Sequence, residues 1–507
     1  MNQKRAGILI SFLNLIMGMV VNIFLTPFLI AALGDVDYSL YKVMQSFAGP
    51  LSMFHLGIST IVARSVVRFE NNESYTKKEK QNTMALSLLA SGIMATLVAA
   101  VGFAMYASIP GIYGENYSSE SIALGQKIFL LLMLSTVIHM LTDAFSGCMV
   151  GHEKFITTSL IQLSRTVLKV VLWVVLLSLG LGALEITYVD LAISIATFLF
   201  SVGYATFALK EKPRLYYFDR KKLIEIVSFG VAILLQAVVN QVNNNVDTMI
   251  LGAFVINKAA ITMYSSALAI YAVYNSLISV VSNFFLPQAT RLIENKASGE
   301  EITNFVIKPG RFQAILAVAC ILGFALFGRN FITVWIGEKY MDAYWVTLML
   351  LIPVTVPLVE NTMLSVLDAS LKRIYRSVTL VIMAAANVVV SILLVFVLGF
   401  WGVAVGTVLS LIIGHGFMMN IYYAKEFGLQ IGRMFFSVFK GILPAGLLAA
   451  LVCLPLALLL SNSLLFFILK CVCFMLFYGI FLLLFGLNAE EKKTVFKMLH
   501  IKTKQSS

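Results

Sequence analysis

Three amide side chains and one carboxylate follow one another at helical spacing in an otherwise apolar stretch. Gln236, Asn240, Asn244 and Asp247 are three or four positions apart, so they fall on one face of a helix. If that face met lipid, each group without a hydrogen-bond partner would cost several kcal/mol. Hydrogen bonds between helices offer one alternative, but each contributes only about 0.6 kcal/mol on average. Packing seldom needs so many amides on one face, so the pattern favours a water-filled cavity lined by these side chains.

Four basic residues in or beside other apolar stretches have the chemistry to hold an anionic group. Arg64 and Arg291 stand near the ends of two apolar runs, and Arg165 and Lys169 are four positions apart in a third. A guanidinium pairs with two phosphate oxygens at once, and an ammonium supplies a compact point charge. Unpaired charge is costly in a membrane, which makes these residues functional candidates by default. For Lys169 a second interpretation has equal weight, namely that its ammonium extends to the membrane interface.

Acidic residues and histidines in the apolar runs are candidates for moving a proton or an ion. A buried carboxyl can titrate near neutral pH, so Asp247, Asp143 and Glu360 are the ion-coupling candidates, in that order. Three histidines lie in similar surroundings, where satisfied core histidines are commoner than proton carriers: His55, His139 and His415.

The elements that must position these groups are apolar runs about as long as a bilayer is thick. A helix needs roughly 20 apolar residues to cross the hydrocarbon core. Of the 507 residues 60% are hydrophobic and 12% are charged, and the mean hydropathy is +0.91. The sequence therefore predicts an all-α polytopic membrane protein with about 14 transmembrane helices. The predicted spans are 8–31, 40–63, 83–107, 122–147, 158–180, 187–209, 224–250, 261–286, 311–333, 343–367, 377–398, 402–423, 437–460 and 464–487.

Lysine and arginine are distributed unevenly between alternate loops, and this sets the predicted orientation. Basic residues cluster in the N-terminal tail, in the loops at 64–82, 210–222 and 372–376, and in the C-terminal tail. The opposite loops carry little beyond Lys258 and Lys339. The asymmetry predicts a protein of the cytoplasmic (inner) cell membrane with both termini in the cytoplasm. The net charge of +12 thus reflects the orientation of the chain in the membrane and some attraction to anionic lipid. It does not indicate nucleic-acid binding.

The chain also resembles itself at an offset of about 218 residues, which indicates an internal duplication. Val20-Val21-Asn22 is followed twelve positions later by Gly34, and Val238-Val239-Asn240 is followed twelve later by Gly252. The stretch from Phe155 to Gly180 matches that from Tyr375 to Gly399. Because each copy has an even number of spans, the copies share one orientation and form a parallel pseudo-twofold pair. The predicted domains are a six-helix lobe at 1–210, a second at 211–425, and two further helices with a tail at 426–507.

Signatures of soluble catalysis are missing from the sequence. It has no phosphate-binding loop of the G-x-x-x-x-G-K-[ST] type, no dinucleotide fingerprint, no nucleophile elbow and no cluster with metal-ligand spacing. Asp35-Val-Asp37 is the pattern that holds a metal and a sugar diphosphate in many glycosyltransferases, but the loop around it is only about six residues long, which favours a tight interhelical turn. The five cysteines lie in or beside apolar runs and are interpreted as reduced thiols. We therefore expect no cofactor, no metal site and no enzymatic activity.

Several stretches resemble one family of membrane proteins. Residues 24–41, with Thr26-Pro27 and Leu33-Gly34, and the segment from Leu56 to Arg64 look like the opening of bacterial polysaccharide biosynthesis flippases, which belong to the multidrug/oligosaccharidyl-lipid/polysaccharide (MOP) exporter superfamily. Residues 243–252 and the segment from Leu286 to Arg291 are similar to the same family's helices seven and eight. The likeness covers essentially the whole chain. Family members often have an acidic residue where His55 stands, so carboxylate chemistry at that position is not expected here.

The resemblance implies two six-helix lobes around a central cavity and translocation of undecaprenyl-diphosphate-linked oligosaccharide from the cytoplasmic to the outer leaflet. Its partners would be this substrate, membrane lipid and other polysaccharide assembly proteins, with no nucleic acid. One alternative is a drug/cation antiporter driven by H⁺ or Na⁺, which the acidic candidates favour and the basic set disfavours. A membrane glycosyltransferase or polymerase is a third reading, disfavoured by the short outward loops.

Overall fold

The computed structural model describes residues 3–55, 58–70, 76–221, 223–224, 245–279, 285–370, 372–459 and 463–498. All regular elements in this part of the chain are helices, which confirms the predicted all-α class. Twelve helical stretches among the described residues are long and apolar enough to cross a membrane. They account for thirteen predicted spans, because the first stretch, Leu13–Ser52, overlaps two of them. Most of the seventh predicted span, 224–250, lies outside the described residues.

The chain divides into two compact units, of which unit 1 comprises Met1–Ser265 and Val388–Val403. Within it α1 packs on α5, α2 packs on α4, and α4 also contacts α3 and α6. A π-helical turn, Tyr204–Ala208, continues α6. The helices that lie wholly in this unit are α1 (Gln3–Ala48), α2 (Ile58–Glu70), α3 (Lys77–Tyr113), α4 (Ser119–Gly151), α5 (Phe155–Ser178), α6 (Ala183–Gly203) and α7 (245–254).

Unit 2 comprises Ser266–Asn387 and Ala404–Ser507. Its helices are α9 (Leu286–Glu294), α10 (Gly299–Trp335), α11 (Asp342–Val359), α12 (Met363–Ala369), α15 (Asn420–Phe427), α16 (Ile431–Phe439), α17 (Ile442–Leu459), α18 (Leu464–Phe481) and α19 (Ala489–Met498). α10 is central, because α11, α16, α17 and α18 all pack against it. Three helices have residues in both units, namely α8 (Lys258–Ser279), α13 (Arg373–Leu398) and α14 (Phe400–Leu411). The predicted domain limits at residues 210 and 425 stay a prediction.

The first two predicted spans differ in detail from the structure. α1 continues through Gly34 to Ala48 with a kink where Gly34 takes φ +70°, a conformation that costs little without a Cβ. The break comes later, inside the predicted span 40–63, where Gly49–His55 form a 3₁₀ helix. Pro50 lacks a backbone N–H and so cannot extend the α-helical bonding. α2 is consequently a separate helix, and it carries Arg64.

Corresponding helices of the two sequence halves begin in the same way. α3 and α10 each have 37 residues, and each starts with a capping box. In α3 the Thr76 hydroxyl accepts from the Glu79 amide, and in α10 the Ser298 hydroxyl accepts from the Glu301 amide. Such a cap stabilises a helix start by about 1 kcal/mol. The equal lengths and matching caps support a duplicated architecture.

Helix ends repeat as well, although one pair of matched glycines differs in backbone conformation. α5 is followed by Gly180 with φ +79° and α13 by Gly399 with φ +58°. A left-handed glycine just after the last turn is a common way to end a helix. The matched glycines Gly34 and Gly252 differ in conformation, because Gly34 kinks α1 whereas Gly252 is helical within α7.

Candidate functional site

Lys169, which the sequence presents as a free cation, forms an ion pair across two helices of unit 1. Its Nζ lies 2.9 Å from Oδ2 of Asp190 on α6. The other carboxylate oxygen, Oδ1, accepts a hydrogen bond of 3.2 Å from Nε1 of Trp173. Trp173 is one turn beyond Lys169 on α5, and the ammonium lies 4.1 Å from the centroid of its indole ring. The Lys169 ammonium thus has a carboxylate partner, Asp190, that sequence reasoning missed, and its extension to the membrane interface stays a prediction.

Two more cations and another carboxylate adjoin this pair. Arg165 lies one turn before Lys169, and the carboxylates of Asp190 and Asp143 act electrostatically on its guanidinium. Lys42 of α1 lies close enough to Lys169 for the two positive charges to repel. We name these five residues the α5 charge cluster. Three cations and two carboxylates leave a net charge of +1 when all are ionised, so the cluster retains attraction for an anion.

His139 is held within hydrogen-bonded core contacts of the same unit. Its Nε2 lies 3.1 Å from Oγ of Ser194, which is also 3.0 Å from Oγ of Ser135. The Ser194 hydroxyl donates to the backbone carbonyl of Asp190 at 2.7 Å. This chain links His139 to the backbone that carries Asp190, as expected for a satisfied core histidine.

Arg64 lies in a recess at the predicted cytoplasmic side of unit 1. Arg64 and Arg68 are one turn apart on α2 and line a cavity of about 670 Å³. Its other walls come from the end of α4 and the start of α5, including Val150, Glu153 and Phe155. Residues 165 and 169 lie ten and fourteen positions beyond Phe155, which corresponds to roughly 15 and 21 Å along α5. The recess combines two guanidinium groups, the Glu153 carboxylate and an apolar wall, so its lining has an excess of positive charge and suits an amphiphilic anion.

A carboxylate next to this recess fastens three helix ends together. Glu211, which follows α6, accepts a 3.0 Å hydrogen bond through Oε1 from Nε2 of His152 at the end of α4. The same oxygen pairs with the Lys80 ammonium on α3. Burial alone would raise the pKa of Glu211, but the hydrogen bonds and charges of His152 and Lys80 outweigh it and lower that pKa below its ordinary value. Since His152 is flanked by Gly151 and Glu153, this junction also holds the wall of the recess.

The three residues of the predicted amide face, Gln236, Asn240 and Asn244, lie outside the described residues. Asp247, at the end of that face, is on α7 and only 2% exposed. The hydroxyl of Tyr264 on α8 donates a hydrogen bond to Oδ2 of Asp247. This ion-coupling candidate is thus buried in unit 1 with a neutral partner.

The remaining candidates belong to unit 2 or to the short helix after α1. Arg291 is exposed on α9. Glu360 is buried between α11 and α12, and His415 lies in a π-helical segment, Ile412–Met419, which follows α14. His55 ends the 3₁₀ helix that precedes α2. The structure therefore brings Arg165, Lys169 and Asp143 together, places Arg64 in a recess of the same unit, and leaves Arg291 in the other unit.

Two residues of the charge cluster escaped the sequence analysis, Lys42 and Asp190. Asp190 offers a signal in retrospect: it is an acidic residue inside the predicted span 187–209, and it lies one connection after a span that contains Lys169. Pairing opposite charges between consecutive antiparallel spans would have found it. Among the described residues no group of three or more His, Cys, Asp or Glu side chains is arranged to hold a metal ion.

The sequence pattern of a family described as polysaccharide biosynthesis protein matches residues 6–293. This region extends from α1 into α9 and includes the α5 charge cluster and the recess around Arg64. No curated protein sequence matches the chain.

Two solved structures share the fold over most of their length. The lipid II flippase MurJ in an inward closed conformation superimposes with a TM-score of 0.72 at 15% identity, covering 97% of this chain and 99% of that one. A multidrug resistance MATE family transporter of the MOP superfamily, in an inward-facing conformation, gives a TM-score of 0.58 at 16% identity, covering 82% of this chain and 96% of that one. At these identities the likeness establishes the fold alone, and both neighbours are transport proteins rather than enzymes.

Proposed function

The chain belongs to the polysaccharide biosynthesis protein family, and from this premise we propose that it is a lipid-linked oligosaccharide flippase of the cytoplasmic membrane. It moves undecaprenyl-diphosphate-linked oligosaccharide from the cytoplasmic to the outer leaflet by alternating access, with both chain termini in the cytoplasm. The fold shared with a lipid II flippase supports this reading of the architecture. Other polysaccharide assembly proteins supply the substrate and use the product.

The observation that carries the proposal is the placement of cations in unit 1. Arg64 and Arg68 line a recess with an apolar wall, and Arg165 lies further along α5 in a cluster with net positive charge. A diphosphate linkage is anionic and presents several oxygens to guanidinium forks. The attached lipid is apolar, so a recess that is part cationic and part apolar matches both ends of the linkage. The predicted amides at Gln236, Asn240 and Asn244 would bind sugar hydroxyls.

Direction is supplied by an ion gradient, or by downstream use of the product, since the sequence has no nucleotide site. Asp247, Asp143 and Glu360 remain the proposed ion-coupling residues. Carboxylates within membrane-spanning helices are the groups that commonly carry protons or bind ions in transporters.

A drug/cation antiporter is the second candidate, favoured by the buried carboxylates Asp247 and Glu360, by the partly buried Asp190 and by the fold shared with a MATE transporter. Such a protein extrudes an organic cation and needs an anionic binding surface. The net positive α5 charge cluster and the two arginines of the recess argue against it. Ethidium efflux from cells that overproduce the protein, compared with cells carrying an empty vector, separates the two functions.

We predict that the reversals Arg64→Glu, Arg165→Glu and Arg291→Glu each abolish export while the protein stays folded in the membrane. Each change replaces a cation offered to the diphosphate by a carboxylate that repels it. The measurement is accumulation of untranslocated lipid-linked sugar together with loss of surface polysaccharide in a deletion strain that carries the variant.

The matched control is Arg214→Glu, an exposed arginine in the loop after α6, which should export normally. Protein amount in the membrane fraction shows that each variant is produced. Normal export by all three reversed proteins would remove the diphosphate-binding role from these arginines.

A further inference from the structure

Four consecutive large side chains are exposed on the connection that follows α6. Leu215, Tyr216, Tyr217 and Phe218 are 50%, 45%, 49% and 61% exposed. Residues 210–218 form no helix or strand, so these side chains stand outside the membrane-spanning helices. A contiguous apolar patch in such a place marks an interaction surface. We name residues 212–221 the aromatic strap.

The backbone of the aromatic strap is fixed to the first turns of α3. The N–H groups of Tyr216 and Tyr217 both donate to Oδ1 of Asn82, at 2.8 and 3.1 Å. Asn82 is only 1% exposed. The N–H of Arg214 donates to the Gln81 carbonyl at 3.3 Å, and the Tyr216 hydroxyl donates to Oε1 of Gln81 at 2.8 Å. The exposed side chains are therefore presented from a backbone held in one place on unit 1.

The aromatic strap lies at the level where two membrane helices end. The span that contains α6 finishes at Ala208, four residues before the strap begins. Asn82, which holds the strap, directly precedes the predicted span 83–107 of α3. The strap is thus joined to one apolar stretch just after its end and to another just before its start. Side chains at this level meet the headgroup layer, where aromatic rings are enriched in membrane proteins.

Positive charge borders the aromatic residues on both sides. Four exposed cations belong to the strap, namely Lys212, Arg214, Arg220 and Lys221. The only carboxylate between residues 212 and 221 is the half-buried Asp219, so the net charge of the strap is +3. Lys78 of α3 adds a further cation, with its ammonium 6.0 Å from the centroid of the Tyr216 ring. Glu211, just before the strap, is already paired with Lys80.

Rings and cations together identify the kind of partner. Basic residues at a membrane surface attract anionic headgroups, each by roughly fivefold in affinity, and neighbouring aromatic side chains insert at the boundary between headgroups and acyl chains. A soluble protein could cover the same rings. Lipid is favoured because the strap is held at the headgroup level, where a bilayer is within reach of all its side chains.

We propose that the aromatic strap lies in the headgroup layer of the cytoplasmic leaflet and binds anionic phospholipid there, with phosphatidylglycerol as the lipid to test. Leu215, Tyr217 and Phe218 enter the apolar boundary, while the cations of the strap hold the phosphate groups. The connection between the two sequence halves is thereby attached to the bilayer surface. This binding needs only a protein inserted in a membrane and does not rest on the flippase function.

The test uses the full-length chain with its five native cysteines replaced and a nitroxide spin label on Phe218→Cys. The protein is reconstituted in vesicles of phosphatidylcholine alone or with increasing phosphatidylglycerol. Accessibility of the nitroxide to oxygen, which enters lipid, is compared with its accessibility to a water-soluble nickel chelate. Phosphatidylglycerol should move the nitroxide into lipid, and about 1 M NaCl should reverse part of the shift, because charges are then screened within about 3 Å.

The triple variant Lys212→Glu, Arg220→Glu and Lys221→Glu should need about tenfold more phosphatidylglycerol for the same shift, or should not show it. The matched control reverses three exposed lysines of unit 2, Lys425→Glu, Lys440→Glu and Lys493→Glu, and should behave as the unreversed protein. A single reversal such as Arg214→Glu leaves most of the positive charge in place.

The lipid and salt series needs no charge variant, so it decides the matter even if the triple variant fails to insert. A nitroxide that stays accessible to the nickel chelate in every vesicle would overturn the proposal and leave the rings to a protein partner. Equal immersion with and without phosphatidylglycerol would also overturn it, because binding would then be apolar only. Neither outcome bears on export, which is measured separately.

Discussion

At the scale of single residues, Asp190 organises the charges of unit 1. One carboxylate oxygen pairs with Lys169 and the other accepts from Trp173, and its charge also acts on Arg165. The side chain is 13% exposed and that of Lys169 is 33% exposed. Removing one partner of a buried ion pair leaves a charge without compensation and costs about 3–5 kcal/mol, although solvent reduces this at a partly exposed lysine. We therefore expect Asp190 to stabilise the fold whatever role the cations have in transport.

Exchanging the charges of Lys169 and Asp190 distinguishes a structural role of this ion pair from a role in transport. We predict that Asp190→Asn lowers the amount of folded protein, while Lys169→Asp combined with Asp190→Lys restores it by rebuilding the pair in reverse. Export should stay lost in the exchanged protein, because a carboxylate then stands where the diphosphate should meet an ammonium. Membrane yield, thermal unfolding and surface polysaccharide are measured in parallel.

The uncharged pair Lys169→Met with Asp190→Leu is the control for packing, because apolar residues of similar volume often replace a buried ion pair without loss of stability. If the exchanged protein exports at the wild-type level, the ion pair is purely structural and Lys169 does not contact substrate.

At the scale of helices, unit 1 is held together at one end by close packing and by a charge junction. α2 and α4 approach so closely that a Cβ on Gly147 would be 2.4 Å from the Ser59 carbonyl oxygen. A Cβ on Gly151 would be 2.6 Å from Cβ of Val66. Glu211 then fastens the adjoining ends of α3, α4 and α6. The recess around Arg64 depends on both features, since its walls are the helices that they hold.

The junction should make stability depend on pH in acid. We predict that Glu211→Gln lowers stability at pH 7 by about 1.5–3 kcal/mol, the usual contribution of hydrogen bonds to a charged group. The pKa of Glu211 is lowered by folding from its ordinary value of 4.5, so its contribution is present above that value and is lost as pH falls through the folded-state pKa. Thermal unfolding in detergent at a series of pH values should show wild type and variant converging below about pH 4.5 and parallel above it.

Glu115→Gln, at an exposed acidic residue between α3 and α4, should match the wild type at every pH. A difference between wild type and Glu211→Gln that persists unchanged at the lowest pH would show that the carboxylate charge is not what fastens the helices.

Helix positions could be predicted from the sequence because a transmembrane helix is recognisable by its apolar composition and its length, whatever it packs against. Glycine and proline signal in part where helices are interrupted, since Gly34, Pro50 and Pro357 stand at or just before the irregular segments. The residues at which α2 and α12 begin could not be predicted, because helix ends also depend on packing between helices that are distant in sequence. The same limit applies to the site. Arg165 and Lys169 are visible as cations from their type and spacing, whereas the partner of Lys169 depends on how α5 and α6 are aligned along their common axis.

At the scale of the whole molecule, the later half of the sequence contributes residues to unit 1. Gly252 of α7 packs so closely on α1 that a Cβ there would be 2.7 Å from both methyl groups of Val43. The Asn116 side chain donates to the Ala253 carbonyl. The Lys258 ammonium lies 3.4 Å from the centroid of the Tyr117 ring, an interaction of about 2 kcal/mol when desolvated. By the predicted orientation these contacts are on the outer side, where a transporter with alternating access must separate its halves during each cycle.

We predict that a disulfide between residues 43 and 252 stops export reversibly. Val43→Cys and Gly252→Cys are placed in a chain whose five native cysteines are replaced. Because a Cβ at residue 252 would touch the side chain at residue 43, we expect the two thiols to form a disulfide on oxidation. Oxidation then fixes α7 to α1, and lipid-linked sugar should accumulate until a reductant is added.

The control is Ser135→Cys with Ser194→Cys, which joins α4 to α6 within the first half, where the hydroxyl oxygens are 3.0 Å apart. That disulfide should leave export intact, because it joins two helices that pack on each other within the first half of the sequence and does not link the two halves. Normal export with residues 43 and 252 fully cross-linked would show that this contact stays closed throughout the cycle and that the path opens elsewhere.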